Sequence, residues 1–202
     1  MYAKIINNKV VEYPITEEQI IEEFPNTSFS SPFIPIDPYV QVWPTVPNSV
    51  PYDKNVIESI PVYDNNKWVQ SWIITDMSDE TKSIKLDQIK KQKILELASI
   101  RRSKEYNGKV VVDNHGYYTD SNSQSKYISA IISLQNNSEL NINWKTAEGD
   151  FVPLSLEDLI KINNAVREFI QRLFDVEFTL SNKINSLTDG DMINKIDLES
   201  NW

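Results

Sequence analysis

Apolar residues recur at Leu159, Ile162, Val166, Phe169, Leu173, Val176, Leu180, Ile184 and Leu187, in steps of three and four with one slip near Leu180. That spacing is a heptad seam, and it predicts a single helix from Ser155 to Leu187. Ser155 is placed as its N-cap, with Asp158 three residues on in the capping position. A second apolar row at Ile160, Ala165, Ile170, Phe174 and Phe178 is expected to widen the buried face. No Pro or Gly interrupts the run before Gly190, which is expected to end the helix in a left-handed conformation. At ~1.5 Å per residue the helix is roughly 50 Å long. A rod of that length is a spine for other elements or for other copies of the chain.

Upstream, the hydrophobic pattern changes period. Ala3–Ile6 and Val10–Tyr13 flank Asn7-Asn8, a pair that tolerates left-handed turns, so residues 2–13 read as a hairpin. Thr16 and Gln19 form a capping-box pair that opens a short helix to Glu23. From Pro25 to Pro51 the chain is extended and punctuated by proline, which removes a donor and disfavours helix at the preceding residue. Phe29, Phe33, Tyr39 and Trp43 sit among these prolines and read either as a docking strap for a partner or as packing on the adjacent sheet, the second being favoured. Val56–Asp64 and Lys67–Thr75 flank Asn65-Asn66 as a second hairpin, with Trp68, Gln70, Trp72 and Ile74 on one face.

Ser78-Asp79-Glu80 starts a helix running to Tyr106, with Leu86, Ile89, Ile94, Leu97 and Ile100 on its apolar side. A hairpin turning at Asn114-His115-Gly116 follows. Asp120 then caps a helix from Ser123 to Gln135, and a third hairpin from Leu140 to Leu154 turns at Ala147-Glu148-Gly149-Asp150.

Composition sharpens the division. Nine of the ten prolines lie between Pro14 and Pro61, and all four glycines follow residue 100. The fold class is therefore α+β: a small strand- and Pro-rich domain over residues 1–78, then a helical domain over residues 79–202 with two long helices, one short helix and β-hairpins. Lys82–Tyr106 carries eight Lys or Arg against three Asp or Glu, and the 155–187 helix leans acidic, so the two long helices are expected to pack together.

The net charge of −9 argues against nucleic acid and against an anionic membrane surface. No apolar run approaches the ~20 residues of a membrane span. Met1–Asn8 has too short an apolar stretch for a signal peptide, so synthesis in a cytosol is expected. With no cysteine there are neither disulfides nor thiolate metal sites. The lone histidine, His115, reads as a solvated turn residue. The acidic row Glu17, Glu18, Glu22 and Glu23 suits a helix N-terminus and a solvated face better than a metal cluster. Asp189-Gly190-Asp191 resembles part of a calcium loop, but the other ligand positions are wrongly spaced, so it reads as a helix C-cap. No catalytic residue, cofactor site or metal site is legible, and the chain is expected not to be an enzyme.

The run Asp120–Ser125, the hairpin Ile142–Leu154 with Trp144-Lys145-Thr146, Gly149 and Phe151, and Ala165-Val166 together resemble a domain of unknown function in tailed-bacteriophage tail proteins. The resemblance covers residues 96–187 and centres on the WKT-x-x-G-x-F hairpin leading into a long helix. Phe24–Phe29 and Lys67–Trp72 are similar to the front of tail-fibre and tail-fibre-assembly proteins. The segment after Leu187 has no counterpart in that resemblance.

The resemblance implies a virion-tail component made in the host cytoplasm. It would be a fibre- or baseplate-associated structural or adaptor protein, or a tail-fibre assembly factor, that binds fibre or baseplate proteins and has no enzymatic activity. The alternative is a carbohydrate-binding module using Trp68, Trp72 and neighbouring Tyr63. Trp144 and Phe151 are expected to clamp the hairpin onto the spine. Phe174, Phe178, Ile184 and Leu187, at the far end of the spine, are expected to need cover. That cover is either a second copy or fibre chain, a trimer suiting fibre symmetry, or a lid made of Met192, Ile193, Ile196, Leu198 and Trp202.

Overall fold

The computed structural model describes residues 1–135, 140–200 and 202. The chain is α+β and divides into two compact units, Met1–Ser83 and Ile84–Trp202.

In the first unit, β1 (Tyr2–Ile6) and β2 (Lys9–Ile15) form the first hairpin, with Asn7 and Asn8 at φ 51° and 58°. Two consecutive left-handed residues twist the turn to match the strands, and asparagine tolerates that region. Helix α1 (Glu17–Glu23) opens with the reciprocal Thr16–Gln19 capping box and buries Ile20. Next comes β3 (Tyr39–Trp43), inside the proline-rich segment. β4 (Lys54–Asp64) and β5 (Lys67–Asp76) turn through Asn65 and Asn66, again with positive φ.

The sheet order is β2-β1-β3-β5-β4, antiparallel except for the β3–β5 pair. The extended segment is thus more than a strap, because β3 lies at the middle of the sheet. Its strand period is hidden by flanking prolines, which here only limit the strand to five residues. Ile15, Ile20 and Tyr39 form the small core, and Tyr2, Phe24, Phe29 and Phe33 pack against it. Phe29 stacks on Phe33 with ring centroids 5.0 Å apart, and Phe33 meets the edge of Tyr2 at 5.2 Å.

The second unit is built on two long helices, α2 (Asp79–Asn107), whose first residues precede it, and α4 (Leu156–Ser186). Between them come the hairpin β6 (Lys109–Val112) and β7 (His115–Tyr118), helix α3 (Ser121–Gln135), and the hairpin β8 (Ile142–Lys145) and β9 (Phe151–Leu154). A short α5 (Gly190–Asn194) follows. The first of these hairpins turns at Asp113-Asn114, both with positive φ, so His115 is not a turn residue but the first of β7, opposite Val112. Asp and Asn are the residues that accept two successive left-handed conformations, and this moves the turn one position from the glycine.

Ser155 caps α4: its hydroxyl accepts from the Asp158 amide at 3.3 Å, and its own amide donates to the Asp158 carboxylate at 3.0 Å. Along α4 one seam is shared by two cores. Leu159, Ile162 and Val166 pack with Tyr117, Tyr127, Leu134 and Leu154, while Leu180 and Ile184 pack with Leu97 of α2. The Arg101 guanidinium meets Glu177 at 2.8 Å, and Lys90 donates to the Asn185 carbonyl at 2.8 Å, so α2 and α4 lie side by side. The second apolar row is different. Ile160, Phe174 and Phe178 are exposed, because these positions are rotated out of the seam that faces both cores, while Ile170 of the same row still packs against the first core.

Gly190 does not end α4, which stops at Ser186. The Asp189 carboxylate instead caps α5, accepting from the amides of Asp191 and Met192, so Asp189-Gly190-Asp191 is a helix start. The segment after α4 folds back. Ile193, Ile196 and Leu198 are buried beside Ile184, and Leu187 and Trp202 pack against the same cluster. Ile184, 0 % exposed, is therefore covered by its own chain and is not a partner contact, while Leu187 is half-buried against the same cluster.

The capping geometry and the two α4 cores lead to a direct test. Residues 79–202, expressed alone, are expected to give a helical circular dichroism spectrum and a cooperative denaturant transition. Within that fragment Ser155→Ala is expected to cost about 1 kcal/mol. A non-cooperative fragment, or a Ser155→Ala variant of unchanged midpoint, counts against this account.

Candidate interaction surfaces

Among the described residues no group of three or more His, Cys, Asp or Glu is placed to hold a metal ion. No helix among them is long and apolar enough to cross a membrane. In the acidic row of α1, Glu23 takes the Lys4 ammonium at 2.8 Å and the Tyr39 hydroxyl, and these contacts hold its carboxyl below the usual range. That carboxylate is a structural brace under β1 and β3.

A second polar network crosses the sheet. The Tyr13 hydroxyl of β2 donates to Glu58 of β4, and Gln70 also donates to Glu58, at 2.8 Å. Burial first, and then the Glu58 contact, push the Tyr13 phenol up to about 12, so it stays a donor at physiological pH. Thr45 donates its amide to the Gln70 side chain at 3.0 Å and accepts the Trp72 indole N–H at 2.9 Å. Trp72 is thereby tied into the fold and half-buried. Trp68 is half-buried too, with its ring 5.5 Å from that of exposed Tyr63.

Of the strap aromatics, Tyr39 is buried and is no partner contact, because its ring completes the small core beneath α1. Phe29 and Phe33 are half-buried against each other and Tyr2. Trp43 alone of the four is exposed, with the Lys67 ammonium 5.4 Å from its ring centroid.

A larger apolar surface was not legible in the strap or the spine. β3 pairs with β5 at Trp68 and Val69, so beyond Gln70 the residues of β5 have β4 as their strand partner. On this ribbon Ile57 stands opposite Ile73 and Val56 opposite Ile74. Neighbouring residues of a strand point to opposite faces, so both faces of the ribbon are apolar. Ile57 is 55 % exposed, Ile73 50 % and Ile74 49 %, and Ile60 is 63 % exposed at the break in register between Ser59 and Val62. The signal in the sequence is the pair of adjacent aliphatic residues in each strand, Val56-Ile57 and Ile73-Ile74, where a one-sided hairpin would alternate.

In the second unit Phe174 and Phe178 lie exposed on α4, Phe178 by 68 %, with the Arg101 guanidinium 4.5 Å from the Phe174 centroid. The WKT hairpin is organised differently from a clamp on the spine. Trp144 stacks on Tyr127 of α3 at 4.9 Å, whereas Phe151, paired with Lys145, points outward. Successive residues of a strand alternate faces, so Lys145 and its partner Phe151 share the outer face and Trp144 takes the inner one.

Glu148 reaches from the β8–β9 turn to the β6–β7 hairpin, where its carboxylate accepts the Gly116 amide at 3.0 Å. The Ala147 amide donates to the Gly116 carbonyl at 2.8 Å, so the two hairpins are clasped at Gly116. A Cβ on Gly116 would stand 2.5 Å from the Glu148 oxygen, so a side chain there would push the Glu148 carboxylate out of the clasp. The Gly116 amide is the first of the contacts that hold the Glu148 carboxyl below its ordinary range.

A folded pKa below the unfolded one favours the ionised form. The clasp therefore contributes fully above the unfolded value of about 4.3 and is lost as pH falls through the lower folded value. Glu148→Gln is expected to flatten the acid limb of the melting-temperature profile below about pH 4.3. A profile parallel to that of the native chain would show that the clasp carries no such stability.

No curated protein and no solved structure matches the chain. Residues 88–199 match the family described as "Domain of unknown function (DUF4376)", more than half of the sequence, and the chain belongs to that family.

Proposed function

We propose that this chain is a non-enzymatic component of a bacteriophage tail. It would be a fibre- or baseplate-associated structural or adaptor protein, or an assembly factor for a tail fibre, acting through protein–protein contacts. The observation that supports contact over catalysis is the β4–β5 ribbon, which holds Ile57, Ile60, Ile73 and Ile74 in solvent on both faces. A two-stranded hairpin is marginal by itself, and burying a half-exposed isoleucine adds roughly 1 kcal/mol, so a partner chain closing over the ribbon stabilises both. Phe174 and Phe178 offer a second patch on α4. The similarity of the WKT hairpin and of the Lys67–Trp72 strand to tail proteins supports the identity of the partner as a fibre or baseplate protein.

The test is the double variant Ile57→Asp/Ile73→Asp in the full chain, with Phe178→Asp prepared in parallel. Melting temperature is measured first, then mass in solution, then incorporation into tails or attachment of fibres in a complementation assay. The ribbon variant is expected to melt as the native chain does and to fail in incorporation. Normal incorporation by both variants would rule out these surfaces as the contacts.

A further inference from the structure

The two edges of the β6–β7 hairpin differ. On the β7 side both backbone groups of Gly116 are spent on the β8–β9 turn: the amide donates to Glu148 at 3.0 Å, and the carbonyl accepts from the Ala147 amide at 2.8 Å. Gly116 stands opposite Val111. In an antiparallel pair, opposite residues alternate between those that exchange both ladder bonds and those that exchange none. Val111 and Gly116 are therefore a non-bonded pair, and so are Lys109 and Tyr118, two residues along. The Thr119 amide donates to the Gly108 carbonyl at 3.1 Å, which continues the same alternation past the end of the strands. The amides and carbonyls of Lys109 and Val111 thus point away from β7. Among the described residues they meet no hydrogen-bond partner there.

Beside that edge runs a groove of about 750 Å³, with Lys109, Val110 and Val111 on one side and α4 from Ala165 to Arg172 on the other. Val111 is 69 % exposed. β6 is a run of three valines after Lys109, with no proline. Other strands are blunted: β2, β4 and β9 carry Pro14, Pro61 and Pro153, and the outer edge of β7 is taken by the Gly116 clasp.

From this geometry we infer that the groove takes an extended segment of another protein as a third strand beside β6. The unpaired N–H and C=O groups recur on every second residue, about 6.6 Å apart, and an extended polypeptide presents its own groups at that spacing. Val110 faces the first core, so side chains of the added strand on that face fall on α4, where Ala165 is small and Phe169 is an apolar wall. Arg172 makes no ion pair among the described residues, and Lys109 makes only the 4.0 Å contact with Glu148. Against these two cations the groove sets Glu168 alone, which favours an acidic strand over a basic one. A second copy pairing through its own β6 would bring its own α4 with it, whereas a single extended segment lies between β6 and α4. The site is separate from the β4–β5 ribbon and stands whether or not the chain serves a phage tail.

Amide hydrogen exchange of the full chain, followed by NMR, tests it. The probe is an end-capped hexapeptide of alternating Val and Glu. The comparators are its Val-Lys counterpart and two forms of the probe, one N-methylated at every Val and one at every Glu. In the free chain the Val111 amide is expected to exchange about tenfold faster, or more, than those of Val110 and Val112. Saturating acidic peptide is expected to slow it about tenfold or more. The basic peptide is expected to bind about fivefold more weakly. Only one edge of the added strand faces β6, so one N-methylated form is expected to bind about tenfold more weakly than the other. Val111→Pro removes an amide that makes no ladder bond, so it is expected to leave the melting temperature unchanged and to weaken binding about tenfold. If that variant melts early, Ala165→Arg, which fills the groove from α4, decides with the same expected loss. The inference is overturned if Val111 is already protected in the free chain, as pairing with a second copy would make it, or if the acidic peptide does not slow its exchange. It is equally overturned if the basic peptide binds as well, if the two N-methylated forms bind alike, or if binding survives the deciding substitution.

Discussion

The seam of α4 is the contact on which the second unit depends. One row of side chains, Leu159 to Ile184, serves two cores in succession, the first closed by α3 and the small hairpins and the second by α2 and the segment after α4. Neither core has another common wall. The helix is also too long for propensity to hold it unaided; tertiary packing of its apolar stripe supplies most of its stability. The Ser155–Asp158 cap sets where the seam begins, directly after β9, so the entry angle of α4 and the position of the WKT hairpin are coupled through a few residues.

Polar contacts do a different job, positioning the small elements that are too short to hold themselves. Three hairpins turn on paired Asn or Asp-Asn residues with positive φ, and these close the turns tightly enough to leave little loop to order. The Glu148–Gly116 clasp then ties one hairpin of the second unit to the next, and in the first unit Tyr13, Glu58, Gln70, Thr45 and Trp72 link β2 to β4 and β5 by side-chain bonds. Such networks specify geometry when every member is partnered.

The exposed apolar residues divide by origin. Those of the β4–β5 ribbon follow from strand length: β4 and β5 run on past the point where β3 stops, and no other strand of the sheet lies beside the excess of β5. Phe174 and Phe178 follow from helix geometry, since a stripe facing two neighbours cannot also turn its flank inward. Both patches are therefore consequences of architecture, and each leaves several apolar side chains in solvent where a partner surface would gain from covering them.

The sequence by itself determined the elements whose signal is local. The α4 seam, both capping boxes, the hairpins turned by Asn7-Asn8 and Asn65-Asn66, and the change from a proline-rich to a helical half all depend on residues within a turn or two of each other. What only the tertiary structure decided is which side of an element is covered, and by what. Tyr39-Val40-Gln41-Val42-Trp43 becomes a central strand because β1 and β5 flank it, not because of its own pattern. Ile184 is hidden and Leu187 half-buried because α5 and Leu198 return to them, and Gly190 starts a helix because Asp189 supplies the cap. The stacking of Trp144 on Tyr127 joins β8 to α3, which no periodicity in either element announces. Periodicity reports a side chain's direction relative to its own backbone, whereas burial and convergence depend on neighbours distant in sequence, and these are set only when the whole chain has packed.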